Sequence, residues 1–262
     1  RITDAEGGFK SIDYPASAYN SEAMKKGIEN DSMRIPPLGD PNAIEAFSVF
    51  AIDIRDTKNP EVVAKIKTGH LVGAMVEGIP AVGGSSPNSM VVAGKYVFIS
   101  NGNNDNITVL NAENQQIVIH IKLTPEEKLA TLRGIIPFGL AVSPDEKRIY
   151  VAESGINAVA VIDVSTLKVL GHIPTAWFPA KLKVSPDGKK LIISNAKGFG
   201  SGPNGGSTFK MGVSGSYIGN LMHGAVQVTD VPTDDQLPAL TKQVIENNFK
   251  IIPANSPIYN AR

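Results

Sequence analysis

A four-strand unit recurs along the chain, and this repeat restricts the possible fold more than any other feature. Each strand is a short run rich in Val and Ile and bounded by turn residues, which is the usual pattern of β-strands. Asn101, Glu153 and Asn195 occupy one position of successive units, at spacings of 52 and 42 residues. A four-strand unit that repeats about every 40–50 residues predicts the blades of a β-propeller. We therefore expect an all-β fold, a partial β-propeller with four-stranded antiparallel blades.

The repeat also gives the domain plan. We expect an irregular segment at 1–45 within a blade, propeller blades over 46–232, and a short helix with a linker at 233–262. The blades span 46–68 (incomplete), 87–122, 137–173 and 179–231, and the last contains a Gly-rich insertion at 197–223. Closed propellers have about four to eight four-stranded blades. Two complete and two incomplete blades are too few for a closed ring. We therefore expect the remaining blades of the same parent chain, or another copy, to complete it.

Composition excludes several functions. The 262 residues include 25 basic and 25 acidic side chains, and no basic block occurs, which argues against nucleic-acid binding. No apolar run approaches the roughly 20 residues of a membrane-spanning helix. Cysteine is absent, which excludes disulfides, thiol catalysis and zinc–thiolate sites. Gly and Pro are frequent, as expected for a fold of many short strands and turns.

Candidate metal and nucleotide motifs are weak. The string Gly200-Ser201-Gly202-Pro203-Asn204-Gly205 fits a dinucleotide-binding pattern, but no helix-forming sequence follows it, so we interpret it as part of the blade insertion. His120 and His172 hold the same position in consecutive fourth strands and need not converge on one ion. Asp105 and Glu153 are candidate calcium ligands, yet one carboxylate per blade is few for a cation that binds several oxygens. We assign this chain no metal site, no cofactor and no catalytic residue.

The loops suggest a binding face. In a propeller, the loops between the second and third strands and the loops between blades emerge on the same face, and here they hold polar residues and the only Trp. Polar loops presented on one face of a scaffold suit binding. Asn and Asp also fit turns and left-handed backbone, so a structural role stays open for each. The predicted binding face consists of Asn88, Asn101, Asp105, Glu153, Asn157, Trp177, Asn195, Lys197 and Asn204.

One blade carries a resemblance to a known family in three segments, Ser143-Pro144-Asp145, Tyr150-Val151-Ala152 and Val161-Ile162-Asp163. These segments resemble the repeats of YVTN-type seven-bladed propellers of bacterial surface and periplasmic proteins. A narrower resemblance is to a family in which an N-terminal propeller is fused to a C-terminal alkaline-phosphatase-like phosphoesterase domain. It is carried by residues 83–88, 100–105, 152–161, 171–179, 195–198, 202–206 and 217–221.

This resemblance implies that the chain is the second half of a seven-bladed propeller, supplying about four blades. It also implies that a phosphoesterase domain follows the linker in the parent protein. The nucleophile and divalent metal of the family belong to that absent domain. The resemblance further implies an envelope location, periplasmic or at the cell surface.

Three functions follow as hypotheses. The first is a non-catalytic propeller module that binds or docks a partner, such as the C-terminal domain of its own parent, within a larger envelope protein that is itself a metal-dependent phosphoesterase. The second is a hydrolase, of phosphoesterase or lactonase type, with its site on the loop face. The third is a structural repeat of a surface layer. Catalytic propellers place carboxylates and His near the first-strand ends, where this sequence has Asn88, Gly139 and Ala180. We therefore favour the first.

Overall fold

The computed structural model describes residues 40–198 and 223–249, together with Lys26 and four short strands before residue 40. The chain divides into two compact units, Arg1–Ser86 and Pro87–Arg262. In the described part of the first unit, eight strands form four antiparallel pairs. They are β1 (Ile2–Thr3) with β2 (Phe9–Lys10), β3 (Ile28–Asn30) with β4 (Met33–Ile35), β5 (Ser48–Asp53) with β6 (Glu61–Lys67), and β7 (Met75–Val76) with β8 (Ile79–Pro80).

Among its described residues, the second unit contains three antiparallel sheets, one α-helix and two short 3₁₀ helices. The first blade comprises β9 (Pro87–Ala93), β10 (Tyr96–Asn101), β11 (Asn106–Asn111) and β12 (Ile117–Lys122). The second blade comprises β13 (Pro137–Val142), β14 (Arg148–Glu153), β15 (Ala158–Asp163) and β16 (Lys168–Pro174). The third blade has three strands among the described residues, β17 (Pro179–Val184), β18 (Lys190–Asn195) and β19 (Ala225–Asp230), and helix α1 (Leu237–Asn248) follows.

Within each blade the strands lie in sequence order and pair antiparallel with their neighbours. The prediction of an all-β, partial propeller with four-stranded antiparallel blades is confirmed. Alternate residues of each strand face the two neighbouring blades, because side chains alternate across a sheet. Phe98 and Val109 of the first blade thus share one buried core with Ile149 and Ala160 of the second. The other face of the second blade shares a second buried core with the third blade. Apolar burial on both faces of the second blade is therefore the main stabilising contribution to this unit.

The blades approach most closely at their first strands. Gly139 of β13 lies so close to β17 that a Cβ there would be 2.5 Å from the Ala180 carbonyl oxygen. Only glycine fits at such a distance, because the neighbouring atoms belong to backbone rather than to a flexible side chain. The first strands therefore line the inner side of the unit, and the fourth strands lie outside.

Helix α1 covers the outer edge of the second blade. Its Leu237 and Val244 are fully buried, and its Thr241 Oγ1 accepts the backbone N–H of His172 at 2.8 Å. The helix thereby satisfies a polar group of β16, an edge strand that would otherwise expose unpaired backbone. In the part of the chain that the structure describes, no helix is long and apolar enough to cross a bilayer.

Candidate functional site

The structure distributes the predicted binding residues between surface and interior. Asn88, Trp177 and Lys197 are exposed, and Asn157 is partly buried. Asn204 lies outside the described residues. The buried members are Asn101, Asp105, Glu153 and Asn195.

Asp105 fastens the loop that joins the first two blades. Its two carboxylate oxygens accept the backbone N–H groups of Gly134 and Ile136, at 2.8 and 3.0 Å. Ile136 has a positive φ of 54° and precedes Pro137, a combination that costs backbone energy and needs support from its surroundings. The charge-assisted hydrogen bonds to Asp105 supply that support.

Asn157 supports the loop that joins the second and third blades in the same way as Asp105 supports the preceding one. Its Oδ1 accepts the N–H of Phe178 at 2.9 Å, and Phe178, with φ of 59°, again precedes a proline. Asp105 and Asn157 each lie four residues after the end of a second strand, at Asn101 and Glu153. Asp105 and Asn157 therefore both have a structural role, because their side-chain oxygens accept hydrogen bonds from the backbone of the chain itself.

In the first blade, Asn101 anchors a buried polar chain across three strands. Its Nδ2 donates to Asn106 Oδ1 at 2.8 Å and to Thr108 Oγ1 at 2.7 Å, and Thr108 Oγ1 lies 3.0 Å from His120 Nδ1. The amide, the hydroxyl and the imidazole thus join β10, β11 and β12 in one network.

The second blade replaces this network with a single buried pair. Ala160 stands where the first blade has Thr108, and Glu153 Oε2 reaches His172 Nδ1 directly at 2.8 Å. Both side chains are sealed from solvent. Burial raises the pKa of Glu153 above its ordinary value, while His172 opposes this rise and the nearby negative charge of Asp105 adds to it.

Equivalent oxygens at the ends of the second strands are unsatisfied. Asn101 Oδ1, Glu153 Oε1 and Asn195 Oδ1 are buried, and none has a hydrogen-bond partner among the described residues. Such groups are usually satisfied by internal water. No three His, Asp or Glu side chains of the described residues gather as metal ligands would.

The exposed part of the loop face centres on Trp177. The Trp177 N–H donates to the Gly198 carbonyl at 2.6 Å, and the Lys197 N–H donates to the Trp177 carbonyl at 3.2 Å. The Lys197 ammonium lies 4.7 Å from the ring centroid of Phe178, within the range of a cation–π contact. Trp177 itself is 51% exposed, although its backbone is tightly held.

A cleft of about 760 Å³ lies along the inner strands of the three blades. Its polar lining consists of Ser89, Lys181, Lys183 and Ser194, and apolar residues of β9, β13, β17, β18 and β19 form the rest. None of these polar residues was predicted. The sequence contains one indication of this lining. Lys181 and Lys183 alternate along an apolar strand, so their side chains must lie on the same face of it.

Comparison with known proteins gives a partial match. The chain is 30% identical over 130 residues to the seven-bladed beta-propeller protein Rv1057 of Mycobacterium tuberculosis. The match covers 48% of this chain and 30% of that protein's length. The antiparallel sheets of the second unit are propeller blades. No protein-family model matches the chain. A solved structure, Kuenenia stuttgartiensis hydrazine synthase, shares 24% identity over 43% of this chain and 30% of that one, with a TM-score of 0.38.

Proposed function

We propose that this chain is a non-catalytic propeller module that docks a partner through the loop face around Trp177 and Lys197. The observation that carries the proposal is a half-exposed Trp whose backbone is fixed by hydrogen bonds on both sides. Rigid aromatic side chains are frequent energetic centres of interfaces, because they bury a large area at a low entropic cost.

The buried acid–imidazole pair supports a non-catalytic role. A general acid or base must come within hydrogen-bond reach of its substrate. Glu153 and His172 bond each other between strands, out of contact with solvent. Both oxygens of Asp105 are likewise engaged by loop N–H groups. The carboxylates of Glu153 and Asp105 are therefore not placed to act on a substrate, which the hydrolase alternative would require.

The wider context is also a proposal. The resemblance to propeller–phosphoesterase fusions supports an envelope protein in which this module lies beside a phosphoesterase domain that holds the divalent metal. On this proposal the partner of the Trp177 face is that domain, and the propeller shapes access to its active site.

Trp177 is the only Trp of the sequence, so it is a direct probe of docking. We would label it as 5-fluorotryptophan, record its single fluorine resonance, and add an unlabelled phosphoesterase domain from a propeller–phosphoesterase fusion. Docking predicts a shifted or broadened resonance, with weaker binding in the Lys197→Ala variant. The matched control is Lys147→Ala, an exposed lysine in the turn between β13 and β14 that is not part of the predicted binding face, and it should bind like wild type. An unchanged resonance at saturating domain would refute the proposal.

A second measurement tests the hydrolase alternative. The chain would be incubated with p-nitrophenyl phosphate, bis(p-nitrophenyl) phosphate and a simple lactone, each with Mg²⁺, Mn²⁺, Zn²⁺ or Ca²⁺. We expect the same hydrolysis as in protein-free blanks. Turnover that falls in a Lys197→Ala variant would overturn the non-catalytic proposal and place a hydrolytic site on the loop face.

A further inference from the structure

The third blade has an uncovered face that matches the buried faces of its neighbours. By strand register, Val226 and Val228 of β19 correspond to Ile107 and Val109 of the first blade, and to Val159 and Val161 of the second. In the first two blades these residues pack against the following blade and are buried. Val226 and Val228 are 71% and 61% exposed. The third blade therefore exposes, among the described residues, a surface with the pattern of a blade interface.

The uncovered face is apolar on its outer part and cationic on its inner part. Ile192 of β18, which corresponds to the buried Phe98 and Tyr150, is also exposed. Two positions of each first strand face the next blade. They hold Ser89 and Val91 in the first blade, Gly139 and Ala141 in the second, and Lys181 and Lys183 in the third. Both lysines are exposed. The face thus presents exposed apolar side chains on its outer strands and two exposed lysines on its inner strand.

The β5–β6 hairpin of the first unit carries the complementary kind of face. By register its Phe50, Ile52 and Val62 correspond to Ala160, Ile162 and Val169, which pack against the preceding blade. All three hairpin residues are exposed, each by more than two fifths. This sheet has two strands among the described residues, and they match the outer half of a blade. Its size therefore fits the apolar half of the open third-blade face.

We propose that copies of this chain associate head to tail, with Ile192, Val226 and Val228 of one copy packed against Phe50, Ile52 and Val62 of another. Each interface between blades joins a face directed toward the next blade to one directed toward the preceding blade, and this contact continues that rule. A contact between the third-blade faces of two copies would instead bring their lysines together, and repulsion between like charges disfavours that arrangement. Such a heterologous contact closes into a ring or extends as a chain according to the rotation between copies.

Sedimentation velocity over a wide range of concentrations tests the proposal. The wild-type chain should exceed its monomer mass of 27.7 kDa. The Val226→Glu/Val228→Glu variant and the Phe50→Glu/Ile52→Glu variant should each lose self-association. An equimolar mixture of the two should restore a heterodimer, because one keeps the hairpin face and the other keeps the third-blade face. The Val118→Glu control alters an exposed valine of β12 and should behave as wild type.

Cross-linking keeps the test decisive if a charged variant fails to fold. The sequence has no Cys, so single Val228→Cys and Ile52→Cys variants contain unique thiols. Mild oxidation of their mixture should give a disulfide-linked heterodimer in preference to either homodimer. A wild-type chain that remains monomeric throughout, or an absence of preferred heterodimers in both experiments, would overturn the proposal. The Trp177 experiment is independent, because its residues belong to neither face.

Discussion

At the residue scale, one acceptor side chain per junction holds each strained loop in place. Asp105 supports Ile136, and Asn157 supports Phe178, each a non-glycine residue of positive φ before a proline. A proline normally favours extended backbone in the residue before it. The strain is therefore maintained by hydrogen bonds, and removal of the acceptor should release it.

We predict that Asp105→Ala lowers the free energy of unfolding by about 3 kcal/mol, because the backbone N–H groups of Gly134 and Ile136 lose a charged acceptor that is itself buried. Asp105→Asn keeps one acceptor oxygen and should lose about half as much. Urea denaturation monitored by circular dichroism measures both changes. Asn88→Ala, on the same face but exposed, should stay within about 0.5 kcal/mol of wild type. Equal effects at positions 88 and 105 would show that Asp105 does not support the loop.

The Glu153–His172 pair makes stability depend on pH. Because burial raises the pKa of Glu153 in the folded state, the folded chain binds a proton there more tightly than the unfolded chain does. This group therefore stabilises the fold at low pH, and its contribution falls as pH rises through the folded pKa.

Loss of the imidazole should strengthen this dependence, because His172 opposes the rise in the pKa of Glu153. We predict that His172→Gln costs about 3 kcal/mol or more at neutral pH and clearly less at pH 5, because the raised pKa of Glu153 favours protonation of its carboxyl as pH falls. The Glu153→Gln/His172→Gln double variant should lack this difference. Urea midpoints at both pH values measure it. A single-variant cost that is independent of pH would contradict the assignment.

At the element scale, helix α1 distinguishes the second blade from the first. It packs on β16 at Gly171, where a Cβ would lie 2.8 Å from Thr241 Oγ1 and 2.9 Å from Leu237 Cβ. The equivalent residue of β12 is Ile119, which is exposed. Both edge strands carry a register shift at this level, a feature that discourages pairing with other strands.

We predict that Gly171→Val displaces α1 and costs about 2 kcal/mol, since its new side chain overlaps the helix. The amide of His172, which donates to Thr241, should then exchange hydrogen with solvent much faster. Hydrogen exchange resolved by NMR measures this directly. Ile119→Val is the matched control on β12 and should leave the His172 amide protected. Unchanged protection in Gly171→Val would mean that the helix tolerates the substitution.

The sequence allowed the strands to be predicted but not all of their surroundings. Val and Ile runs bounded by turns such as Ser143-Pro144-Asp145 specify strands through local geometry. The burial of Glu153 depends on His172, a residue 19 positions away, and on the small Ala160 between them. The left-handed backbone of Ile136 depends on Asp105 and runs against the local preference of a residue before proline. Non-local contacts of this kind leave no periodic signal.

At the scale of the whole second unit, the second blade shares a core with the blade on either side. Arrays whose repeats contact only their neighbours derive their cooperativity from such interfaces. Gly139 of the second blade packs closely against the third blade. A Cβ atom at this position would lie 2.5 Å from the carbonyl oxygen of Ala180. Its substitution should therefore weaken the coupling between these blades and leave the strands within each blade intact.

We predict that Gly139→Val costs about 3 kcal/mol and separates the unfolding of the third blade from that of the first two, because the new side chain meets backbone that cannot rotate away. Hydrogen exchange would show earlier opening of β17 and β18 amides than of β14 and β15 amides. Lys181→Val is the matched control, since it places the same side chain at the equivalent register position of the third blade, where the face is open. If both variants unfold like wild type, the blades are coupled through the outer apolar residues alone. If both separate the third blade, the effect belongs to β17 itself rather than to its contact with Gly139.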